Sequence, residues 1–262
     1  MCFPPGARPP EIPADLRPIS GGAGGENVVL SSNDGATFRA FVANAQQGDA
    51  GVVIAPDVRG LHRFYEELAE RFASAGVHAI ALDYFGRSAG TARRPDDFAF
   101  QDHTAAARAR PDLIQADVAA AIVELEKRTA VTRVFVLGFC LGGRVAFNAG
   151  AEQPGLAGVV GFYGVTRKRD EHDADAPIDK VARMRAPILG LFGGADGGIP
   201  AEDNAAFDRA LSGRNLPHHL VTYPGAPHSF FDRTFADYAK ECDDAWRHVL
   251  GFIATGDPKA TG

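Results

Sequence analysis

The chain is poor in sulfur and in indole, with three cysteines, two methionines and one tryptophan among 262 residues. Cys2, Cys140 and Cys242 are an odd set without a CxxC pair, so neither a disulfide framework nor a zinc knuckle is encoded. Clustered positive charge is also missing. The 27 Lys and Arg against 33 Asp and Glu leave a net charge of −6, which excludes the basic face that a nucleic acid requires. No apolar run approaches the roughly 18 to 20 residues of a membrane span. The Pro-rich start over 1–16 lacks the basic segment and apolar segment of a secretory signal, so the expected location is the cytoplasm. What the sequence does have is an ordinary globular balance, 45% apolar and 23% charged residues, with ample length for a sizeable core.

Residues 1–25 carry many Pro and Gly without a hydrophobic period, which predicts an irregular arm. Residues 26–255 read as one domain, and 256–262 as a C-terminal tail. Short runs over 27–30 and 37–42, split by Asn33-Asp34-Gly35, predict an entry hairpin. A continuous apolar run over 51–55 predicts a strand buried on both faces, and further strands are expected over 78–82, 134–137, 159–162, 188–192 and 220–223. Between them lie helical stripes. Phe64, Leu68 and Phe72 recur at steps of four before Gly76, which is placed to cap a helix end. Ile114, Val118, Ala121, Ile122 and Leu125 stripe a helix over 112–128, with Asp112 and Gln115 spaced as a capping box. A helix is expected over 201–211, and a last one carries Phe235, Tyr238, Cys242, Trp246, Val249 and Ile253, making Cys242 a buried apolar side chain. This alternation predicts an α/β fold, a mostly parallel central sheet with helices on both faces and ligands at the carboxyl ends of its strands.

Gly138-Phe139-Cys140-Leu141-Gly142-Gly143 follows the strand over 134–137 and opens a helix. A nucleophile elbow holds its central residue in a strained turn, and small neighbours let other backbone pass close by. Cysteine takes the usual place of serine here; the bland reading is a glycine-rich turn with an inert thiol. A thiol with an ordinary pKa of about 8.5 needs a base or a positive environment at neutral pH. The order nucleophile, acid, histidine marks α/β-hydrolases. Asp196 and His228 follow two later strands in that order, so their loops are expected to meet Cys140 at one mouth. Alone, Asp196 in its glycine-rich segment also suits a turn, and His228 suits a solvated loop.

The residues resemble the dienelactone hydrolases, cysteine-dependent members of the α/β-hydrolase superfamily. The likeness runs over roughly 51–250 through Ala55-Pro56-Asp57-Val58-Arg59-Gly60, Asp83-Tyr84-Phe85-Gly86-Arg87, 138–143, Gly161-Phe162-Tyr163-Gly164, Gly193-Gly194-Ala195-Asp196 and His228-Ser229-Phe230. It implies Cys140 as nucleophile, His228 as base, Asp196 as its orienting acid, and the N–H groups of Val58 and Leu141 as oxyanion donors. It also implies opening of a lactone or cleavage of a small ester through a cysteine acyl-enzyme, with a small-molecule substrate, no cofactor, no metal, and a monomer or homodimer. Two positions depart from the family pattern. Asp57 stands where a glutamate is usual beside the thiol, one methylene shorter. Of two arginines expected on the substrate carboxylate, Arg87 is present, but the position four after the histidine is Asp232, with Arg233 one later. A broader carboxylesterase or thioesterase, and a catalytically silent redox-responsive binding protein, remain open on sequence.

The stretch over 86–112 is long for a connection, which suggests a lid or a specificity wall as much as a solvated loop. The mixed-charge run over 167–173, including His172, is crowded without metal-ligand spacing.

Overall fold

Strands that are buried along their whole length must be covered on both faces, and four such strands lie in the middle of the sheet. The computed structural model describes residues 8–16, 24–95, 97–171, 173 and 175–262. In chain order it has β1 (Glu26–Ser31), β2 (Thr37–Ala43), β3 (Ala50–Ala55), α1 (Arg63–Ser74), β4 (His78–Leu82), the short α2 (Gly86–Ala89), α3 (Gln101–Ala109) and α4 (Pro111–Arg128). There follow β5 (Arg133–Phe139), α5 (Leu141–Glu152), β6 (Gly158–Phe162), the short α6 (Pro177–Lys180), β7 (Ile188–Gly193), α7 (Ala201–Gly213), β8 (His218–Tyr223) and α8 (Ala239–Thr255). Every residue of β3, β4, β6 and β7 is buried.

The eight strands lie in the order β1-β2-β4-β3-β5-β6-β7-β8. The hairpin pairs antiparallel onto β4, and every other neighbour is parallel. The chain steps from β3 outward to β4, then returns to place β5 on the other side of β3. That reversal opens a crevice at the carboxyl ends of β3 and β5, where ligands bind in folds of this kind.

Residues 1–7 and 17–23 of the expected arm lie outside the described residues, as do Asp96 and His172. Among the described arm residues Ile12 is buried, and Trp246 Nε1 donates to the carbonyl of Pro10 at 3.3 Å. The hairpin turns through Gly35 at φ 81°. Gly76, at φ 81°, follows the C-cap Ala75 of α1, a backbone conformation glycine adopts at no steric cost.

Two expectations need correcting. Asp112 does not cap α4: the helix starts one residue earlier, with Pro111 in its first turn, and Gln115 donates to the carbonyl of Val145 at 3.0 Å instead. The last helix begins at Ala239, so Phe235 and Tyr238 belong to the turns before it, although the stripe from Cys242 through Ile253 is buried. The connection over 86–112 contains α3, whose buried position is Thr104 alone, which explains why no apolar period marked it.

Behind the elbow, α5 buries Arg144. Its guanidinium forks onto both carboxylate oxygens of Asp173 at 2.7 Å and reaches the carbonyls of Val165 and Arg167. These contacts tie the loop after β6 to the helix. Removing Asp173 leaves the buried Arg144 its longer pair with Asp175 at 3.8 Å in a site closed to water. Asp173→Ala is expected to lose about 3 kcal/mol of stability, read as a lower urea midpoint at unchanged slope.

Candidate active site

The register of the parallel strands sets the site. Phe139 at the end of β5 faces Phe162 of β6, and Gly193 at the end of β7 faces Tyr223 of β8. The residues that follow these strands, Cys140, Tyr163, Asp196 and His228, therefore emerge along one edge.

Cys140 sits between β5 and α5 at φ 55° and ψ −110°, a region that a residue with a Cβ enters only when its surroundings force it. Its N–H donates to the carbonyl of Phe162 at 3.0 Å, and the side chain is half-buried. The flanking glycines are there for space. A Cβ on Gly138 would lie 2.0 Å from the carbonyl oxygen of Gly142, and one on Gly142 would lie 2.0 Å from that of Ala55. Hence the first turn of α5, opened by Leu141, packs directly on the chain leaving β3 for Val58.

His228 Nδ1 and Asp196 Oδ2 are 2.6 Å apart, and the other oxygen of Asp196 accepts from the N–H of Gly198 at 2.9 Å. Burial raises the Asp196 pKa, but the hydrogen bond and charge of His228, helped by backbone N–H groups, outweigh it and hold the carboxyl below its ordinary range. The imidazole ring lies against Tyr163, with centroids 4.9 Å apart. Tyr163 is fully buried at φ 37°, and its hydroxyl donates to Asp232 Oδ2 at 2.6 Å. Burial first, then the nearby carboxylate of Asp232, Tyr65 and the thiol of Cys140, push the Tyr163 phenol well above its ordinary pKa. Tyr163 is thus in ring contact with His228 and within electrostatic reach of Cys140.

The segment 56–58 is pinned from three sides. Tyr65 Oη accepts the N–H of Asp57 at 2.9 Å, Tyr84 Oη donates to the carbonyls of Pro56 and Asp57, and Thr104 Oγ1 donates to that of Val58. Asp57 is fully buried, and one of its oxygens accepts the N–H of Arg59 at 2.8 Å. Tyr84 feels the charges of both Asp57 and Cys140, which places that carboxylate and that thiol around a shared phenol.

The two expected carboxylate-binding arginines are placed differently. Arg87 forks onto Asp34 at 3.0 and 2.9 Å and bonds Asp117 at 2.6 Å, tying the hairpin turn to α4. Its three nitrogens are committed, so a substrate carboxylate would have to displace a protein one. Asp232 is buried behind Tyr163, whereas Arg233 is exposed. Sequence reasoning missed Tyr65, Tyr84, Thr104 and Tyr163 as parts of the site. Tyr84 and Tyr163 stood in the quoted segments 83–87 and 161–164 without a role, whereas Tyr65 and Thr104 lie on separate elements, and only folding brings the four together. Among the described residues, no three His, Cys, Asp or Glu side chains are grouped as a metal would need.

Two measurements follow from these pairs. Because the folded pKa of Asp196 is depressed, its stabilisation is complete above the unfolded value of about 3.9 and is lost as pH falls through that value toward the folded one. The urea-midpoint gap between wild type and Asp196→Asn is expected to be widest above about pH 5 and to shrink toward pH 3. Arg87→Gln leaves fully buried Asp117 without its cation and is expected to cost about 3 kcal/mol of stability by urea titration.

The model of the dienelactone hydrolase family matches residues 38–256. A "Putative carboxymethylenebutenolidase" of Escherichia coli K12 is 28% identical over 227 residues, covering 83% of this chain and 82% of that protein. A "Probable 2-oxo-3-(5-oxofuran-2-ylidene)propanoate lactonase" of Bradyrhizobium is 30% identical over 209 residues, covering 77% of this chain and 82% of its own length. In structure, a "Putative Dienelactone Hydrolase" of Klebsiella pneumoniae superposes with a TM-score of 0.74 at 24% identity over 88% of this chain and 99% of its own, a likeness that speaks to the fold. The turn at Cys140 between β5 and α5, the sheet order and the family match agree: this chain belongs to the dienelactone hydrolase family of the α/β-hydrolase superfamily and is a hydrolase of that kind.

Proposed function

We propose that the protein hydrolyses a small carboxylic ester or lactone through an acyl-enzyme on Cys140. The observation that carries this reading is the strained elbow at Cys140, set on the same sheet edge as the 2.6 Å His228–Asp196 pair. The substrate carbonyl lies over Cys140 with its oxygen toward the N–H groups of Val58 and Leu141. His228 takes the thiol proton, and Asp196 holds the imidazole with Nε2 toward the reacting atoms. The sulfur attacks, and the oxyanion gathers on the two amides, each worth about 2.7 to 4 kcal/mol when well aimed. The carbonyl re-forms as the C–O bond breaks, the imidazolium giving its proton to the leaving oxygen. Water, activated in turn by His228, then cleaves the thioester and releases the carboxylic acid and the thiol.

Thiolate formation has help beyond the base, since Cys140 caps the N-terminus of α5, where the helix dipole favours negative charge. Asp57 would assist only if its shorter arm reaches the sulfur.

For the substrate, one observation favours a neutral small ester over a lactone that carries a carboxylate. Arg87 is held by Asp34 and Asp117, and Asp232 puts an acid where the family pattern has a cation. A substrate anion would bind Arg87 only by displacing a carboxylate of the chain.

Cys140→Ala is expected to lose turnover of an aryl acetate by at least about 1,000-fold, and with it the acyl adduct seen on the wild type by intact mass after rapid acid quench. Full activity in that variant would end the assignment. A neutral lactone is expected to show a higher kcat/KM than its carboxylate-bearing analogue; the reverse order would restore the clamp reading.

A further inference from the structure

A backbone amide serves a developing oxyanion only if its peptide plane is held in place. In a trans peptide the carbonyl points opposite to the N–H, so fixing one end fixes the other. Three successive peptides carry the chain from Pro56 to Arg59. The first, between Pro56 and Asp57, is held at both ends, its carbonyl by Tyr84 Oη and its N–H by Tyr65 Oη at 2.9 Å. The third, between Val58 and Arg59, is also held at both ends, its carbonyl by Thr104 Oγ1 and its N–H by Asp57 Oδ1 at 2.8 Å. The middle peptide is held at its carbonyl alone. Tyr84 Oη donates to the carbonyl of Asp57, and the N–H of Val58 has no acceptor among the described residues.

We propose that Tyr84 is a positioning residue for the oxyanion site: its hydroxyl fixes the plane of the peptide between Asp57 and Val58 so that the Val58 N–H faces the substrate oxygen. This role rests on the ester chemistry read at Cys140.

The fold delivers this phenol where it is needed. Tyr84 follows β4 by two residues, and β4 is the parallel neighbour of β3, so the tyrosine emerges beside the chain that leaves β3. Its ring is buried and meets Phe85 edge-on, with centroids 5.4 Å apart. Burial, then the charges of Asp57 and Cys140, push the phenol well above its ordinary pKa, so it keeps its proton across the neutral range. The carbonyls of Pro56 and Asp57 can only accept, and they share that one proton. The influence of Cys140 on Tyr84 puts the phenol within electrostatic reach of the reacting sulfur. A hydrogen bond on the carbonyl of an amide also strengthens its N–H as a donor, so Tyr84 would polarise the Val58 amide as well as aim it.

Tyr84→Phe removes the hydroxyl and keeps the ring. With an aryl acetate, the burst of aryl alcohol that reports acylation of Cys140 is expected to slow about tenfold, less than for a donor removed outright because the Val58 amide remains. KM should stay within about twofold of wild type, since the contact matters in the transition state. An aldehyde analogue gives a second reading. The Cys140 sulfur bonds to its carbonyl carbon while the thiol proton passes to the oxygen, which occupies the oxyanion position, and Ki should rise by about the same tenfold. Tyr223→Phe deletes another buried hydroxyl, bonded to Asp244 at 2.9 Å on the edge strand β8. It should lower the urea midpoint without moving the burst rate or the Ki. Placing 4-aminophenylalanine at position 84 restores a weaker donor and should bring burst rate and Ki to within about threefold of wild type. Should Tyr84→Phe fail to fold, that variant carries the test through this smaller displacement. Wild-type burst rate and Ki in the folded variant at position 84, or equal losses in Tyr223→Phe, would overturn the proposal. An acyl adduct on wild-type Cys140 beside an unaffected Tyr84→Phe would remove the role of Tyr84 alone, whereas no adduct on the wild type would remove the ester chemistry and this role with it.

Discussion

The contact on which the site depends is between two stretches of backbone. The first turn of α5 presses onto the carbonyls of Ala55 and Pro56, closer than any side chain at Gly142 would permit. This approach joins the end of β5 to the end of β3 across the reversal point of the sheet, and in doing so aligns the start of α5 with the segment that carries Val58. The energy for it comes from elsewhere. Fully buried strands on both sides hold β3 and β5 in register, and the unfavourable dihedrals of Cys140 persist because that packing leaves the chain no alternative.

Much of this was legible in the sequence for identifiable reasons. Strands buried on both faces write themselves as unbroken apolar runs, and β3 was found that way. The order of cysteine, aspartate and histidine after β5, β7 and β8 pointed to one mouth, because parallel strands deliver their loops to one end. Val58 and Leu141 came from the family pattern alone. The phenols of Tyr65, Tyr84 and Tyr163 were not legible. Each is buried by a different element, and nothing local marks a tyrosine whose hydroxyl will secure a distant carbonyl or carboxylate. Helix α3 escaped for a simpler reason: a helix lying on the surface with one buried position has no stripe to read.

Arginine shows the limit of reading roles from position. Arg87 matches its family counterpart in sequence, yet its partners, Asp34 and Asp117, come from the hairpin turn and from α4. A guanidinium recognises any well-placed carboxylate, and a carboxylate of the chain is always present at high effective concentration. Whether an arginine serves a ligand or the fold is therefore decided by which acids the fold places within its reach, and those acids are some 30 and 53 residues away along the chain.

Charge also constrains the chemistry proposed for Cys140. Asp57 and Asp232 are both buried, and Tyr84 and Tyr163 feel their charges together with that of Cys140, so a further negative charge on sulfur would add to theirs. A thiolate forms in such a setting only alongside a compensating cation. On the proposed chemistry the proton therefore moves to His228 rather than to solvent, producing an imidazolium whose charge is met by Asp196 on one side and by the sulfur on the other. On that chemistry the nearby carboxylates couple Cys140 to His228: the sulfur would gain its charge as the imidazole gains the opposite one, and the acids that oppose an isolated thiolate would favour the histidine that receives its proton.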